Sequence, residues 1–371
     1  MRWRLRLRKS RPTKPTPRGS RRARSWRSYS GKNRTIPGWR ITSFTPTTCR
    51  LWRERRLSPR DAIPISRLMR HTRCICRHTR SRAWATGRIP STATAPQQQL
   101  RVAWAKTAEE LHASDYQVYA YLQTAQDEAA RKVLEALPEI ASRFDPRVVV
   151  SGAAGPDAGY FALAAIPARY AVERRDWQRA TELQPRETPF LYTDAITWFA
   201  RGIAAARLHD AAKAQASVAA LQDIRTRLEK SKESYWAGQA EIQRLEVNAW
   251  SSLAEGSKDL ALNTMKSAAE MEDGTDKKAI TPGPVAPARE LFGEMLMEIN
   301  QPAQALEQFE ATLKKEPNRF RALYGAARAA QLSGNREASR KYYAELLKIC
   351  EHADKPGRAE VLEANKAVLG N

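Results

Sequence analysis

The sequence has little cysteine, no long apolar run and, in its first 100 residues, almost no acidic side chains. Only 4 of its 371 residues are Cys, and three of these (Cys49, Cys74, Cys76) lie in the first 100 residues, so no disulfide framework is predicted for the rest. No stretch approaches the roughly 18–20 apolar residues that a membrane-spanning helix needs. The start, MRWRLRLRKSRP, has the basic flank of a signal peptide but no apolar stretch behind it. As written, nothing directs the chain out of the cytosol, but the sequence does not fix its compartment.

The shortage of acidic residues divides the chain into two compositions. Residues 1–100 carry 27 Lys plus Arg, 24 of them Arg, against two acids, Glu54 and Asp61, for a net charge of +25. Residues 101–371 carry 36 basic and 38 acidic residues, so the net charge of +23 for the whole chain lies at the front. The front segment has many Pro, Ser and Thr and no periodic apolar face, so burial cannot offset the entropy cost of ordering it. We predict a disordered basic segment over 1–105 and a folded domain over 106–371.

Beyond Lys106 the apolar spacing is helical. Leu111, Val118 and Leu122 share one helix face, a polar break follows at 124–126, and a second apolar face begins at Ala130, which predicts two helices joined by a short turn. The layout recurs, with predicted turns at Ala125, Arg175, His209, Gly256, Asn300 and Gly334, and two of the intervals are 34 residues. The longer intervals hold Gly- and Pro-rich loops at 144–159 and 272–287. The helix after the second loop is expected to begin near Pro287.

These hairpins resemble the tetratricopeptide repeat. Gly293, Ala305, Phe309 and Pro317 match its small, small, aromatic and terminating-proline positions. The corresponding residues of the other copies are Trp198, Gly202, Ala214, Gly256, Ala261, Gly334 and Tyr343. Small residues let two helices approach, and the aromatic residue fills the space between successive hairpins. The resemblance, which extends to a family of uncharacterised bacterial repeat proteins over about residues 107–371, implies an all-α right-handed solenoid of about six helix pairs.

Such a solenoid implies a partner-binding surface and no enzyme. Proteins of this class usually present the concave face of their first helices to a peptide or another protein, so the resemblance implies a non-enzymatic interaction scaffold. The candidate partner-binding residues on the last two hairpins are Glu290, Glu294, Met297, Arg321, Tyr324 and Arg328. Arg321 and Arg328, with Tyr324 between them, suit an acidic segment or a C-terminal carboxylate. The alternative is that they form ion pairs with Glu residues of the same chain.

No catalytic residue, cofactor site or metal site is predicted. The Gly-rich stretch 152–159 lacks phosphate-loop spacing, and His112 with Asp115 has no second pair of metal ligands. The segment HTRCICRH (residues 71–78) places two Cys between two His, but it does not match the usual zinc spacings. We assign Trp177, Trp198, Trp236 and Trp250 to packing between helices rather than to a ligand box.

The basic segment has three possible origins. Arg interleaved with Trp3, Trp26 and Trp39 is suited to phosphates and bases, which makes a nucleic-acid-binding arm one alternative. The same composition results when a GC-rich gene is translated in the wrong frame, and the shifted frame of residues 63–79 can read a string resembling upstream residues of the bacterial family. We favour a frameshift over about residues 35–100, in which case the export signal that such relatives often carry is also missing. Some other disordered tail is the third origin.

Two further functions stay open beside the interaction scaffold. A nucleic-acid-binding protein would act through the basic segment, with steep salt dependence. An accessory subunit would serve a neighbouring enzyme or transporter without catalysis of its own.

Overall fold

The structure, a computed structural model, describes residues 95–149, 153–278 and 280–369. These residues form thirteen α-helices and no strand, so the all-α class is confirmed for this part of the chain. The predicted disordered segment (1–105) lies outside the described residues except for residues 95–105, which belong to a helix, and the proposed frameshift lies outside them except for residues 95–100. The His71 to His78 cluster lies outside them as well.

Twelve of the described helices form six hairpins, and one helix follows. The hairpins are α1 (Ala95–Gln123) with α2 (Asp127–Ser142), α3 (Pro156–Glu173) with α4 (Trp177–Glu182), α5 (Leu191–Arg207) with α6 (Ala211–Lys230), α7 (Ser234–Ala254) with α8 (Lys258–Asp273), α9 (Ala288–Glu298) with α10 (Pro302–Lys315), and α11 (Phe320–Leu332) with α12 (Arg336–Ile349). The last helix is α13 (Ala359–Leu369). Helix α1 begins ahead of the domain boundary predicted at residue 106, and α4 has only six residues.

Every hairpin reverses at a residue with left-handed backbone geometry. The φ angle is positive at all six predicted turn positions, so these turns are confirmed: Ala125 (53°), Arg175 (56°), His209 (58°), Gly256 (84°), Asn300 (61°) and Gly334 (81°). The following backbone N–H closes the helix, as where Asp210 donates to the carbonyl of Ala205 at 2.8 Å. Left-handed geometry costs a residue other than Gly about 1–2 kcal/mol, so most of these turns form because helix packing on both sides holds them.

Four of the six second helices begin at a polar cap or at proline. The side chains of Asp176, Asp210 and Asn335 each accept a hydrogen bond from the backbone N–H three residues later, at 3.0–3.2 Å. Pro302 occupies a first helical turn, where its missing N–H leaves no bond unmade. Pro287 caps α9, so the expected start of that helix is confirmed.

Close approach between helices depends on small residues. The Phe309 ring on α10 is 1% exposed and lies between Gly293 of its own hairpin and Gly325 of the next. A Cβ atom at Gly293 would lie 2.8 Å from that ring, and one at Gly325 would lie 2.4 Å from it. Gly202 is equally constrained, because its Cβ would meet Val247 at 2.6 Å. Among the other repeat-signature residues, Ala214, Ala261, Ala305 and Tyr343 are fully buried, Trp198 is partly buried and Pro317 is exposed.

Hydrogen bonds connect the last hairpin and the loop after it to the first hairpin. The Phe320 N–H donates to Gln123 Oε1 at 2.7 Å, and the Asp354 N–H donates to the carbonyl of Ala125 at 3.1 Å. In the other direction, the Glu128 N–H donates to Asp354 Oδ2 at 2.8 Å. These bonds join residues about 200 positions apart, so they fix the ends of the hairpin array against each other.

Candidate functional site

The predicted partner-binding carboxylates are already paired within the chain. Glu290 is 2% exposed and accepts a bond from Arg319 Nε at 2.8 Å. Glu294 accepts one from Arg175 Nη2 at 2.5 Å. Met297 is partly buried against the core formed by the last two hairpins. These three residues therefore join elements of the fold.

Arg321, Tyr324 and Arg328 hold the chain's own C-terminal helix. Arg321 Nη1 donates to Glu360 at 2.6 Å, while Tyr324 Oη and Arg328 Nη1 both donate to Glu363 at 2.7 Å. Burial and the nearby Glu363 carboxylate raise the pKa of Tyr324 to about 12, so its hydroxyl stays a donor. We refer to Arg321, Tyr324 and Arg328 together as the clamp. The clamp already binds an acidic segment of the chain itself, namely α13.

A buried charge network lies beside this clamp. Glu173, at the end of α3, is 3% exposed and has Arg319 Nη2 at 3.3 Å, Arg358 Nη1 at 3.4 Å and Arg321 Nε at 3.6 Å. Burial alone would raise the pKa of Glu173, but the three guanidinium groups outweigh it and hold this pKa below its usual value. Arg358 also pairs with Asp127 at 2.7 Å. Side chains of the protein itself thus fill the space beside the first helices of the last two hairpins.

An open cavity lies beside the first helices of the second, third and fourth hairpins. It is lined by residues of α3, α5 and α7, by the ends of α8 and α10, by the start of α9 and by the loop that joins α8 to α9, and its volume is about 80 Å³. Arg169 of α3 positions that loop by donating to the Thr281 hydroxyl and the Gly283 carbonyl, each at 2.7 Å, and to the Pro284 carbonyl at 2.9 Å. Arg169 is itself held by Asp115 at 2.7 Å. We refer to this space as the loop cavity.

Aromatic rings form one wall of the loop cavity. The rings of Tyr192 and Trp236 stack with centroids 3.9 Å apart and planes within 7°. The ring centroid of Phe161 lies 6.2 Å from that of Trp236. The Tyr235 ring packs edge-on against Trp236, with their centroids 4.8 Å apart. Tyr192 and Phe161 are each 6% exposed, whereas Trp236 is only partly buried. The wall is therefore preordered, and part of the indole is accessible.

A stripe of polar side chains on α7 continues from this wall. Trp236, Gln239, Gln243 and Glu246 are spaced at intervals of three and four, which places them on one helix face, and all four line the loop cavity. Glu246 is 1% exposed. Its Oε1 atom and the Oε1 atom of Gln243 are both buried without a hydrogen-bond partner, which is unusual for buried oxygens.

The acids of the loop cavity have perturbed pKa values. Burial raises the pKa of Glu246 well above its usual range, and repulsion by Glu272 adds to the effect. Burial likewise raises the pKa of Glu272 to about 7, although this carboxylate accepts a bond from the Ala288 N–H at 2.8 Å. Both groups are therefore poorly compensated as anions, and strongly perturbed acids in a cleft are a feature of functional sites.

The sequence pattern did not single out the loop cavity. Trp236 was assigned to packing, which its stacking on Tyr192 supports, but it also lines the cavity. Gln243 and Glu246 were not candidates. One signal could have indicated the loop cavity: polar residues at helical spacing on α7. This is the first helix of its hairpin, and the repeat resemblance places first helices on the concave side.

No protein-family model and no curated protein matches the chain. Within the described ranges, no helix is both long and apolar enough to cross a membrane. The same residues contain no group of three or more His, Cys, Asp or Glu side chains placed to hold a metal ion.

Proposed function

We propose that the chain is a non-enzymatic interaction scaffold of the tetratricopeptide type, and that it binds a peptide segment of a partner protein in the loop cavity. In this proposal the hairpins form a right-handed solenoid, and the loop cavity is the open part of its concave face. The observation that carries the proposal is the pairing of an ordered aromatic wall with two buried, unpartnered oxygens. Such a mixture of apolar wall and few polar groups is typical of binding sites.

The position of the loop cavity supports this proposal over the clamp on the last two hairpins. At the clamp, Arg321, Tyr324 and Arg328 are engaged by Glu360 and Glu363 of α13. A partner there must first displace a helix of the chain itself. At the loop cavity, the Trp236 side chain is only partly buried and lines open space.

Selection from a random peptide library displayed on phage, with the purified full chain as bait, tests the proposal. The enriched peptides are then titrated against the parent chain, Trp236→Leu and the matched control Trp198→Leu, whose tryptophan lies outside the loop cavity. Leu keeps both positions apolar, and circular dichroism checks that each variant is folded. We expect binding to weaken at least tenfold in Trp236→Leu and to be unchanged in Trp198→Leu. The absence of enriched peptides, or equal affinity for parent and Trp236→Leu, would contradict the proposal.

A further inference from the structure

We infer that the loop cavity is an ammonium-binding site, and that it takes the end of a lysine side chain from the partner peptide. This inference rests on the proposed function. It states the chemistry of the anchoring residue, which the peptide-binding proposal leaves open.

The unpartnered atoms of the loop cavity are acceptors. Oε1 of Glu246 and Oε1 of Gln243 are both oxygens, so the partner that each one lacks is a hydrogen-bond donor. A buried oxygen without a partner is costly, and a ligand that supplies the bond recovers that cost. A lysine ammonium carries three donors on a compact head and has no acceptor, which matches this set.

The charge balance around the cavity also favours a cation. The four basic side chains that line it are already engaged: Arg169 by Asp115, Lys277 by Glu316 and the Pro282 carbonyl, Arg289 by Asp273, and Lys315 by the backbone carbonyls of Glu272 and Thr275. The acids Asp273 and Glu316 are the partners of two of these residues. Glu246 lies near Glu272 and has no described cationic neighbour. Glu272 has the Lys315 ammonium nearby, whereas Glu246 has no cation, so an ammonium ligand would favour the ionised form of Glu246 and compensate its burial.

The size and wall of the loop cavity suit the stem of lysine. A volume of about 80 Å³ is small and fits one side-chain end rather than a folded segment. The rings of Tyr192, Trp236 and Phe161 offer apolar surface to the methylene groups. An ammonium near the accessible part of Trp236 also gains from the negative face of the indole. The planar fork of arginine is bulkier and requires two acceptors in one plane, so we expect lysine to be preferred.

Variants of the peptides selected above test the inference. In each enriched peptide, each Lys is replaced in turn by norleucine, by acetyl-lysine and by Arg, and the affinities for the parent, Glu246→Gln and Glu270→Gln are measured by calorimetry. Gln is isosteric with Glu and cannot carry its charge. The exposed Glu270 has only a 3.8 Å ion pair and serves as the matched control. A separate titration with n-pentylamine tests a free amine as the ligand.

We expect one Lys whose replacement by norleucine or acetyl-lysine lowers the affinity of the parent chain at least tenfold. Glu246→Gln should lower the affinity for the Lys peptide by a similar factor and leave the norleucine peptide unaffected, while Glu270→Gln should change neither. Peptides that depend on Trp236 but on no Lys, or that bind Glu246→Gln as well as the parent, would overturn the inference and leave the peptide scaffold standing. Binding of n-pentylamine that depends on Glu246, with no lysine requirement in any peptide, would overturn the peptide source in favour of a free amine. A selection without enriched peptides would reject both proposals.

Discussion

Arg319 and Glu173 are 146 positions apart in the sequence, and Arg319 Nη2 lies 3.3 Å from a carboxylate oxygen of Glu173 in the interior. Arg319 also donates two bonds to Glu290, at 2.8 Å and 2.9 Å. The guanidinium group therefore joins the end of α3 to α9 and to the start of α11. Ion pairs, as well as apolar packing, connect the early hairpins to the late ones.

Replacement of Arg319 by Met should lower the free energy of unfolding. The change leaves Glu290 and Glu173 buried with less compensation, and breaking a buried pair in this way costs about 3–5 kcal/mol of the free energy of unfolding. Urea denaturation followed by circular dichroism measures the loss. The matched control is Arg131→Met, which removes exposed pairs with Glu128 and Glu135 and should have no measurable effect. Equal stability of the two variants would contradict the importance of the buried pair.

Two helical glycines should respond to alanine with opposite signs. In Gly325→Ala the new Cβ would lie 2.4 Å from the Phe309 ring, so the helices must separate, at a cost of about 1–3 kcal/mol. In Gly238→Ala the nearest atom is Met271 Cε at 3.8 Å, so the variant should gain up to about 1 kcal/mol from helix propensity. Thermal and urea unfolding of both variants measure the difference. A shift of both variants in the same direction would be inconsistent with the packing described.

The stability should fall as the pH rises from about 4.5 to about 7. Burial raises the pKa of Glu272 in the folded protein from 4.5 to about 7, so the folded state binds this proton more tightly than the unfolded chain does. The stabilisation that protonated Glu272 contributes is complete below its pKa in the unfolded chain, 4.5. It is lost as the pH rises through its pKa in the folded protein, about 7. Glu272→Gln should reduce the decline, which urea midpoints at pH 4.5, 6 and 8 will show. Glu246 adds a decline of the same sign, so part of it should remain.

Glu270→Gln is the control for this pH profile. Its exposed carboxylate lies on the same helix, α8, and the variant should follow the parent chain at every pH. If Glu272→Gln retained the full decline, the assignment of the raised pKa to Glu272 would be wrong.

Cys350 should resist alkylation while the protein is folded. Burial raises the pKa of its thiol to about 12, so very little reactive thiolate exists near neutral pH. Iodoacetamide should label Cys350 slowly in buffer and rapidly in concentrated urea. Peptide-level mass spectrometry separates this cysteine from Cys49, Cys74 and Cys76. Equal labelling rates in the two conditions would show that the thiol is accessible in the folded protein.

The sequence predicted much of the local structure because helix and turn signals depend on nearby residues. The apolar spacing from Leu111 to Ala130 predicted the first hairpin, and all six predicted turn positions have a positive φ angle. His209 and Asn300 could be placed only by comparison with Gly256 and Gly334, since by themselves they are ordinary residues. Helix α13 has no counterpart in the repeat pattern and was not predicted.

The candidate site was less predictable, because its residues acquire their role from distant neighbours. Arg321, Tyr324 and Arg328 follow helical spacing, but their acidic partners come from α13, 35 to 39 residues later. Glu246 is one of many Glu residues in a helical sequence. Only its burial beside Glu272, without a cation, distinguishes it.

The sequence by itself determined the uneven charge, with +25 over residues 1–100 and −2 over the rest, and the succession of helices and turns after Lys106. These properties are composition and short-range periodicity, which need no knowledge of the fold. The tertiary structure decided which charges are neutralised in the interior, that α13 occupies the clamp, and that Glu246 and Gln243 line an open cavity. These outcomes depend on contacts between residues up to 231 positions apart, and the energy of a buried charge is set by the neighbours that folding brings to it.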